Sequence, residues 1–321
     1  MKREVLQALV RDIFAAAGMS AEHAALVADV LVWADRRGMG SHGVMRVGRY
    51  VGLIRKGELN PVPRLKIIQD TPACVLIDAD HAAGPVAMVH AMRAAMAKAR
   101  TAGIGLALVR ETTHTAALGY YTQMAAREGL AGIAMSASIA LMAYHGARAA
   151  GVSTAPLSIA VPGEDEPVAL DMGSGVVSMG KLMQARRSGE PLAPGLALDA
   201  QGRPTTDAKQ AEIPLPLGGP KGSGLALMIE CLASLIAASP ILAQKESRAH
   251  QNGLLIAIDV ARFTPLEVFK GEVTRLATMI KSLPAEGEIL LPGERGHRNA
   301  RSDEVKISAK VLEELQGLAR Q

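Results

Sequence analysis

The chain has 321 residues, of which 49% are hydrophobic and 2% aromatic, and its formal net charge is +4. This apolar content excludes a disordered chain, and the length allows two domains or one large α/β domain. Few aromatic side chains are present to stack on bases, which argues against nucleic-acid binding, whereas a mild positive charge suits a small anionic substrate. Cys74 and Cys231 form no zinc-binding pattern, so no metal site is predicted. No apolar run reaches the length of a membrane span, and we expect a cytoplasmic protein.

Apolar periodicity predicts helices towards both ends of the chain. The first helix is expected over residues 4–17, and the second is capped by Ser20 and runs to Arg37, with Gly38 as the residue that ends it. A third helix is expected over residues 45–56. The part of the chain beyond residue 259 is also predicted to be helical, with a loop at residues 291–295.

The middle of the chain predicts a sheet interleaved with helices. Strands are expected at residues 65–68, 73–78, 104–109, 130–136, 157–161, 168–171 and 253–259. Helices are expected at residues 84–102, 117–128 and 222–238. Residues 188–220 are rich in proline and glycine and predict a long ordered excursion. This pattern is typical of a mixed α/β fold.

Gly38, Gly40 and Gly43 match the glycine pattern of a dinucleotide-binding loop. That loop follows a strand, however, and here a helix precedes the glycines. We therefore interpret them as shaping a helix end and reject a Rossmann site. The Lys221-Gly222-Ser223 run resembles the tail of a P-loop, but the glycine spacing before it is wrong.

Ser41, His42 and Arg46 lie in the same stretch and carry the chemistry that reduction of a 2-oxo acid needs. Histidine titrates near neutrality and can supply a proton, and arginine can bind a carboxylate through two hydrogen bonds. His42 and Arg46 would share one face if the segment were helical. The alternative is a capping histidine beside a surface arginine.

Three further segments could bind a cofactor or substrate. Residues 112–119 join a strand to a helix, where α/β sheets bind ligands, although the threonines could simply cap the helix. Residues 171–175 form a glycine-rich turn, and Lys181 behind it could polarise a carbonyl group or lie on a helix surface in solvent. Residues 217–225 bring Lys221 to a helix start, which is typical of a pyrophosphate site or of an ordinary helix cap.

In this order, the segments resemble the malate/L-lactate dehydrogenase family of NAD(P)-dependent oxidoreductases, which lack the classical Rossmann fold. The resemblance covers almost the whole chain and includes Ser41-His42-Gly43 with Arg46 and Tyr50, the His114 loop, and residues 57–61, 144–148, 170–172, 199–206, 216–222 and 291–294. It implies an α/β fold with a mixed, largely antiparallel central sheet and helical N- and C-terminal parts. We expect a helical substrate and dimerisation domain at 1–75 plus about 300–321, and an NAD(P)-binding domain at about 76–299 with an inserted helical excursion.

The resemblance also implies roles for individual residues. His42 is then the proton donor and Ser41 its relay partner, and we add Lys181 as a third catalytic group. The residues implied in substrate binding are Arg46, Thr154, Met179 and Gly180. Those implied in binding NADPH or NADH are His114, Thr115, Ala116, Ala117, Leu118, Met172, Gly173, Ser174, Pro220, Lys221, Arg295, Arg298 and Arg301. A homodimer with its active sites near the subunit contact is expected.

The chain departs from the family pattern where the substrate is concerned. Ala155 replaces a common asparagine, Pro220 replaces a histidine or polar residue, and the region after Ala243 is shorter. Lys181 favours a 2-oxo acid, whereas residues 144–148 and 218–223 resemble the reductases of cyclic imines. A non-catalytic nucleotide-binding homologue is a further alternative.

Overall fold

A computed structural model describes residues 1–242 and 250–321 of the chain. The shortening expected after Ala243 falls outside these residues. The seven-stranded central sheet has the order β1-β2-β3-β12-β4-β7-β8. Its strands are β1 (Lys66–Asp70), β2 (Cys74–Asp78), β3 (Ile104–Thr112), β4 (Leu130–Ser138), β7 (Leu157–Val161), β8 (Val168–Met172) and β12 (Gln251–Asp259). The short strands outside it are β5 (Met142–Ala143), β6 (Ala150–Val152), β9 (Ala197–Leu198), β10 (Pro204–Thr205) and β11 (Ile213–Pro214).

The α-helices lie on both faces of this sheet and towards both ends of the chain. They are α1 (Arg3–Ala16), α2 (Ala21–Arg36), α3 (Val47–Arg55), α4 (Gly84–Ala102), α5 (Gly119–Arg127), α6 (Met179–Ser188), α7 (Pro220–Glu230), α8 (Leu266–Lys281), α9 (Glu294–Ala300) and α10 (Ala309–Leu318). Among the described residues, no helix is long and apolar enough to cross a bilayer.

The sheet is mixed and largely antiparallel, as the sequence predicts. Within the described sheet, β2 and β3 are the one parallel pair of neighbours, and α4 makes the crossover between them. The other neighbouring strands run antiparallel. β12 comes late in the sequence and is inserted between β3 and β4. This order differs from that of a doubly wound Rossmann sheet.

Alternating side chains give the sheet an apolar layer on each face. Val109 and Leu255 belong to the main core together with the alanines and methionines of α4. Leu108 and Leu254, their neighbours along the same strands, pack against Ala233 on the opposite face. The sheet is therefore the middle of three layers.

The two ends of the chain lie side by side. The backbone N–H of Val305 donates to the carbonyl oxygen of Met1 at 2.8 Å. A β-bridge joins Lys2 to Glu304, and α10 packs against both α1 and α3. The helices before the sheet and the last helix after it thus form one helical layer.

Several sequence predictions need correction. The helix expected at 45–56 is a regular α-helix only over Val47–Arg55. The helix expected at 222–238 begins at Pro220, because proline suits the first turn, and becomes a π-helix over Cys231–Leu235. The loop expected at 291–295 is shorter, since α9 begins at Glu294. Residues 188–220 contain the small β9–β11 sheet, and the helical part of the excursion is α6, which the sequence does not predict.

Candidate active site

The turn that carries Ser41 and His42 begins where α2 ends. Gly38 has a φ of +79°, and the N–H of Met39 bonds to the carbonyl oxygen of Ala34 at 2.9 Å, which closes the helix. Two short 3-10 turns follow, Gly40–His42 and Val44–Arg46, separated by an extended residue, Gly43. The segment is therefore not one helix, so the condition under which His42 and Arg46 would share a helical face is not met.

The two turns nevertheless bring Ser41, His42 and Arg46 together. The hydroxyl oxygen of Ser41 lies 3.0 Å from Nδ1 of His42. The Nε–H of Arg46 donates to the backbone carbonyl oxygen of Ser41 at 2.6 Å. One end of the guanidinium is thus fixed by the backbone of the residue that contacts His42.

This group is positively charged and partly shielded from water. Burial, and to a lesser extent the charge of Arg46, lowers the pKa of His42 to about 4. Burial and the neighbouring charge of Arg49 lower the pKa of Arg46. No salt bridge to Arg46 is formed within the described residues. A neutral imidazole beside a guanidinium without a carboxylate partner makes a site that favours an anion.

His114 stacks on His42 and is held by Tyr50. The two imidazole rings are 5.8 Å apart between centroids and 16° from parallel. The Tyr50 hydroxyl donates to the carbonyl oxygen of His114 at 2.7 Å and lies 3.0 Å from its Nδ1. Because a hydroxyl has one proton to donate, Nδ1 of His114 must be the donor in the second bond. Burial also lowers the pKa of His114 well below its usual range, so a neutral ring offers Nε2 as an acceptor.

The rest of the His114 loop is buried and tied to two strands. The N–H of Thr115 donates to the side-chain oxygen of Gln251 at 3.0 Å. Ala116, Ala117 and Leu118 are buried, and Ala116 has a φ of +54°, a conformation that costs a non-glycine residue about 1 kcal/mol. This loop is therefore held in one conformation by its surroundings.

Asp171 joins the His114 loop to the Met172–Ser174 turn. Its carboxylate accepts a hydrogen bond from the N–H of Gly119, the first residue of α5, at 2.7 Å. Burial raises the pKa of Asp171 to about 6, and the bond to Gly119 partly offsets this. Two of the predicted cofactor segments are thus adjacent.

Ser174 joins the third predicted cofactor segment to the second. Its N–H donates to the carbonyl oxygen of Thr154 at 3.0 Å, and its own carbonyl oxygen accepts from the N–H of Leu217 at 2.9 Å. A Cβ on Gly222 would overlap the same carbonyl oxygen, so the start of α7 packs directly on this turn. Lys221 lies exposed in the first turn of α7, after Pro220.

The Ser174 hydroxyl gives a test of whether these residues suit a nicotinamide dinucleotide. It is buried and has no hydrogen-bond partner among the described residues. A buried hydroxyl without a partner costs free energy of folding unless a ligand forms a hydrogen bond with it. Together with the exposed Lys221 at a helix start and the Nε2 acceptor of His114, the residues fit a ligand with phosphate and amide groups.

The residues predicted in α6 lie against the Ser41–His42 turn. The side chain of Ser178 caps α6 by accepting from the N–H of Lys181 at 3.2 Å. A Cβ on Gly180 would overlap the Cβ of Ser41. Met179 is half-buried and the Lys181 side chain is exposed.

The arginines of α9 and Arg301, directly after it, are not joined to this group. Arg295, Arg298 and Arg301 are exposed, and Arg298 is paired with Glu288 and Glu294. Within the described ranges, no hydrogen bond or ion pair links these arginines to the His42 turn. The α9 helix itself lies beside β8, because the N–H of Ala169 donates to the carbonyl oxygen of Pro292 at 3.2 Å.

Two residues of the site are missing from the sequence predictions. Asp35 accepts a hydrogen bond from the N–H of Val44 at 2.6 Å, and Gln251 binds the N–H of Thr115. Asp35 interrupts the apolar side of α2 near its end, which is a signal that could have marked it. Gln251 comes 136 residues after its partner, and no local pattern indicates that contact.

Comparisons with known proteins agree with the fold. The family model for malate/L-lactate dehydrogenase matches residues 1–316. The chain is 36% identical over 339 residues to a malate dehydrogenase of Pyrococcus abyssi, covering 99% of this chain and 93% of that protein. It is 31% identical over 326 residues to a Pseudomonas putida Delta(1)-pyrroline-2-carboxylate/Delta(1)-piperideine-2-carboxylate reductase, covering 98% of this chain and 94% of that protein.

A solved structure agrees over the full chain. The sulfolactate dehydrogenase from Methanocaldococcus jannaschii superposes with a TM-score of 0.90 and is 35% identical, covering 100% of this chain and 96% of that one. The family, its largely antiparallel sheet and the Ser41–His42 turn therefore point to one conclusion. The chain is an oxidoreductase that belongs to the malate/L-lactate dehydrogenase family.

Proposed function

We propose that the chain interconverts a small 2-hydroxy acid and its 2-oxo acid with a nicotinamide cofactor. The observation that carries the proposal is the group formed by Ser41, His42 and Arg46, in which the proton carrier contacts the Ser41 hydroxyl and the carboxylate-binding group donates to the Ser41 carbonyl oxygen. The family to which the chain belongs supports the same class of reaction.

Arg46 would bind the substrate carboxylate. Its Nε is already used by the Ser41 carbonyl, which leaves the terminal guanidinium nitrogens for the ligand. The neighbouring Arg49 and the burial of Arg46 make an incoming anion favourable, because it restores the charge balance. Met179, Gly180 and Thr154 would line the substrate position.

His42 would carry the proton. In the neutral form that its lowered pKa favours, Nε2 accepts the hydroxyl proton of a 2-hydroxy acid while Nδ1 donates to Ser41. In the opposite direction the protonated imidazole returns the proton to the 2-oxo oxygen. A substrate carboxylate on Arg46 raises the pKa of His42 again, because it neutralises the charge that helps to lower it.

NADPH or NADH supplies the hydride, or accepts it, at the carbon that bears this oxygen. We propose that His114 through Leu118, Met172 through Ser174, and Pro220 with Lys221 hold the cofactor. The orphaned hydroxyl of Ser174 and the Nε2 acceptor of His114 support this assignment. Arg298 is already paired with two glutamates, so Arg295 in α9 and Arg301 directly after it are the better candidates for a phosphate contact.

A cyclic imine is the second candidate substrate. The likeness to the Pseudomonas putida reductase supports it, and the same His42 would then transfer its proton to or from nitrogen. Lys181, which we propose as a catalytic group, favours the 2-oxo acid because its ammonium would polarise a carbonyl oxygen. A homologue that binds nucleotide without catalysis is the remaining alternative.

We also propose a cytoplasmic homodimer with the helical layer as a substrate and dimerisation domain. The side-by-side ends of the chain support the grouping of residues 1–75 with about 300–321. In the described part of the chain, α8 has no buried residue although it carries apolar side chains such as Leu276 and Met279. Light scattering would detect the dimer at twice the 33.5 kDa chain mass.

A screen of turnover tests the proposal. The absorbance of reduced nicotinamide is followed with NADH and with NADPH against pyruvate, oxaloacetate, other 2-oxo acids, Δ1-pyrroline-2-carboxylate and Δ1-piperideine-2-carboxylate. Turnover of a 2-oxo acid supports the main proposal, and turnover confined to the imines supports the second. Binding of cofactor without turnover of any compound would favour the non-catalytic alternative.

A further inference from the structure

Asp35 contacts the turn that carries Ser41 and His42. One carboxylate oxygen, Oδ2, accepts a hydrogen bond from the N–H of Val44 at 2.6 Å. Both carboxylate oxygens lie where a side chain on Gly43 would be, and a Cβ there would overlap them. A Cβ on Gly40 would lie 3.4 Å from the other oxygen, Oδ1. Asp35 thus fills the space that Gly43 leaves.

Gly38 and Gly43 both shape the path of the chain around Asp35. Gly38 ends α2 with its positive φ, and the N–H of Gly38 donates to the carbonyl oxygen of Asp35 at 2.9 Å. Gly43 leaves room for the Asp35 carboxylate, whereas a Cβ on Gly40 would make only an ordinary contact with it. The chain therefore wraps around one carboxylate between the end of α2 and Arg46.

We propose, on the basis of the proposed function, that Asp35 is a positioning residue whose ionised carboxylate holds the Ser41–His42 turn in its reactive geometry. Among the described residues no hydrogen bond joins the carboxylate to Ser41, His42 or Arg46, so it acts through the N–H of Val44 and the backbone of Gly43. A charged acceptor makes a stronger hydrogen bond to a backbone N–H than a neutral one does. The ionised form of Asp35 therefore fixes the turn more tightly than the protonated form.

The protonation of Asp35 changes in the neutral range. Burial raises the pKa of Asp35 to about 7, and the hydrogen bond from Val44 opposes that shift only in part. None of the charged or titratable side chains on the surrounding elements forms an ion pair with Asp35 in the part of the chain that the structure describes. Those side chains are Arg36 on α2 and Arg37 directly after it, His42 and Arg46 on the two turns, Lys181 on α6, and Glu294, Arg295, His297 and Arg298 on α9.

The opposite effects of ionisation on activity and stability give a specific signature. The folded state raises the pKa above the ordinary 3.8, so the contribution of Asp35 to stability is full below pH 3.8 and is lost as the pH rises through about 7. The contribution to positioning has the other sign and is gained as the pH rises through the same value. If Asp35 merely supported the fold, its replacement would lower activity and stability together.

The first test is an NMR titration of the whole chain from about pH 5.5 to about pH 8.5, a range that brackets the shifted carboxyl. The amide proton of Val44 should move downfield as the pH rises, with a midpoint near pH 7. The same signal in Asp35→Asn should not titrate. A Val44 amide that does not titrate, or one that titrates equally in the variant, overturns the proposal. The wild-type titration decides the matter even if the variant fails to fold.

The second test compares Asp35→Asn with Asp29→Asn. Asp29 lies on the same helix, is also half-buried and accepts hydrogen bonds from Gln7 and Tyr120, and it has no bond to the turn. Asp35→Asn should lower kcat at pH 8 about tenfold, the order expected for a small displacement of a reacting group. KM for the cofactor should stay within about twofold, and Asp29→Asn should leave kcat unchanged.

The melting temperature completes the signature. Relative to wild type, Asp35→Asn should gain thermal stability as the pH rises from about 5.5 to about 8.5, because it removes a buried charge. A variant that loses both kcat and stability at pH 8 contradicts a positioning role. If the wild type shows no turnover with any compound in the screen, the proposed function fails, while the Val44 titration still decides whether Asp35 holds the turn.

Discussion

At the scale of single residues, Tyr50 sets the state of the ring that stacks on His42. Its hydroxyl donates to the His114 carbonyl oxygen, so the His114 ring must donate from Nδ1. Burial raises the pKa of Tyr50, which keeps this hydroxyl protonated throughout the physiological range. The His114 ring is thereby fixed as neutral, with one defined acceptor towards the ligand.

Tyr50→Phe should therefore weaken both stability and turnover. The variant leaves a buried Nδ1–H without its partner, which costs about 1–3 kcal/mol of unfolding free energy. We expect kcat/KM to fall about tenfold, because the orientation of His114 is no longer fixed. Urea unfolding and steady-state kinetics measure the two effects.

Tyr120→Phe is the matched control for that variant. It removes the hydroxyl of a half-buried tyrosine, which donates to Asp29 on α2 at 2.6 Å and not to the His114 loop. Its unfolding free energy should fall by a similar amount while kcat/KM stays near the wild-type value. Equal losses of kcat/KM in the two variants would contradict the role given to Tyr50.

The reacting residues could be predicted from sequence, and the residues that position them could not. Ser41, His42 and Arg46 lie within six positions and have distinctive chemistry. Asp35 acts on Val44 across a helix end whose path depends on Gly38 and Gly43, and Tyr50 acts on His114 from 64 residues away. Hydrogen bonds of this kind depend on the folded path of the chain, which local patterns do not encode.

At the scale of elements, α6 packs against the Ser41–His42 turn through a glycine. The backbone of Gly180 lies against the Ser41 side chain, and no space remains for a Cβ. This close approach fixes the distance between the first turn of α6, with Met179 and Lys181, and the predicted proton carrier. We infer that the glycine sets the width of the proposed substrate position.

Gly180→Ala should move α6 or Ser41 and lower kcat about tenfold or more, because small displacements of reacting groups are costly. Gly271→Ala on α8 is the control, since a Cβ there meets nothing within 4 Å. That variant should gain about 0.5–1 kcal/mol from helix propensity and keep its kcat. A Gly180→Ala enzyme with wild-type kcat would show that α6 does not limit the site.

Helices and strands with a strong apolar pattern can be predicted from the sequence, and those with a weak pattern cannot. Helix α4 and strand β7 have continuous apolar faces, and the sequence predicts both with the bounds that the structure has. Helix α6 has mostly half-buried or exposed residues, so no apolar stripe indicates it. The insertion of β12 between β3 and β4 depends on contacts far apart in sequence, and the resemblance to a family, rather than local periodicity, predicts that kind of sheet.

At the scale of the whole molecule, the site makes stability depend on pH with two signs. The folded state lowers the pKa of His42 from 6.5 to about 4, so this stability is full above pH 6.5 and is lost as the pH falls through about 4. The folded state raises the pKa of Asp171 from 3.8 to about 6, so that contribution is full below pH 3.8 and is lost as the pH rises through about 6. The buried His42 thus lowers stability in acid, and the buried Asp171 lowers it from about pH 6 upwards.

His42→Gln should reduce the loss of stability in acid. Glutamine is neutral at every pH, so the variant avoids a cost of at most about 3 kcal/mol between pH 6.5 and pH 4. Urea unfolding of both proteins at the two pH values measures the difference, and the titration of other carboxyl groups cancels between them. Identical pH dependence in the two proteins would contradict the shifted pKa of His42.

His42→Ala tests whether His42 carries the proton in turnover. The measurement is kcat at saturating substrate and cofactor, using the substrate that the screen identifies, with cofactor affinity measured separately. We expect kcat to fall about 10²–10⁴-fold, the usual contribution of a general acid or base, while cofactor affinity is retained. An unchanged kcat would show that His42 does not carry the proton.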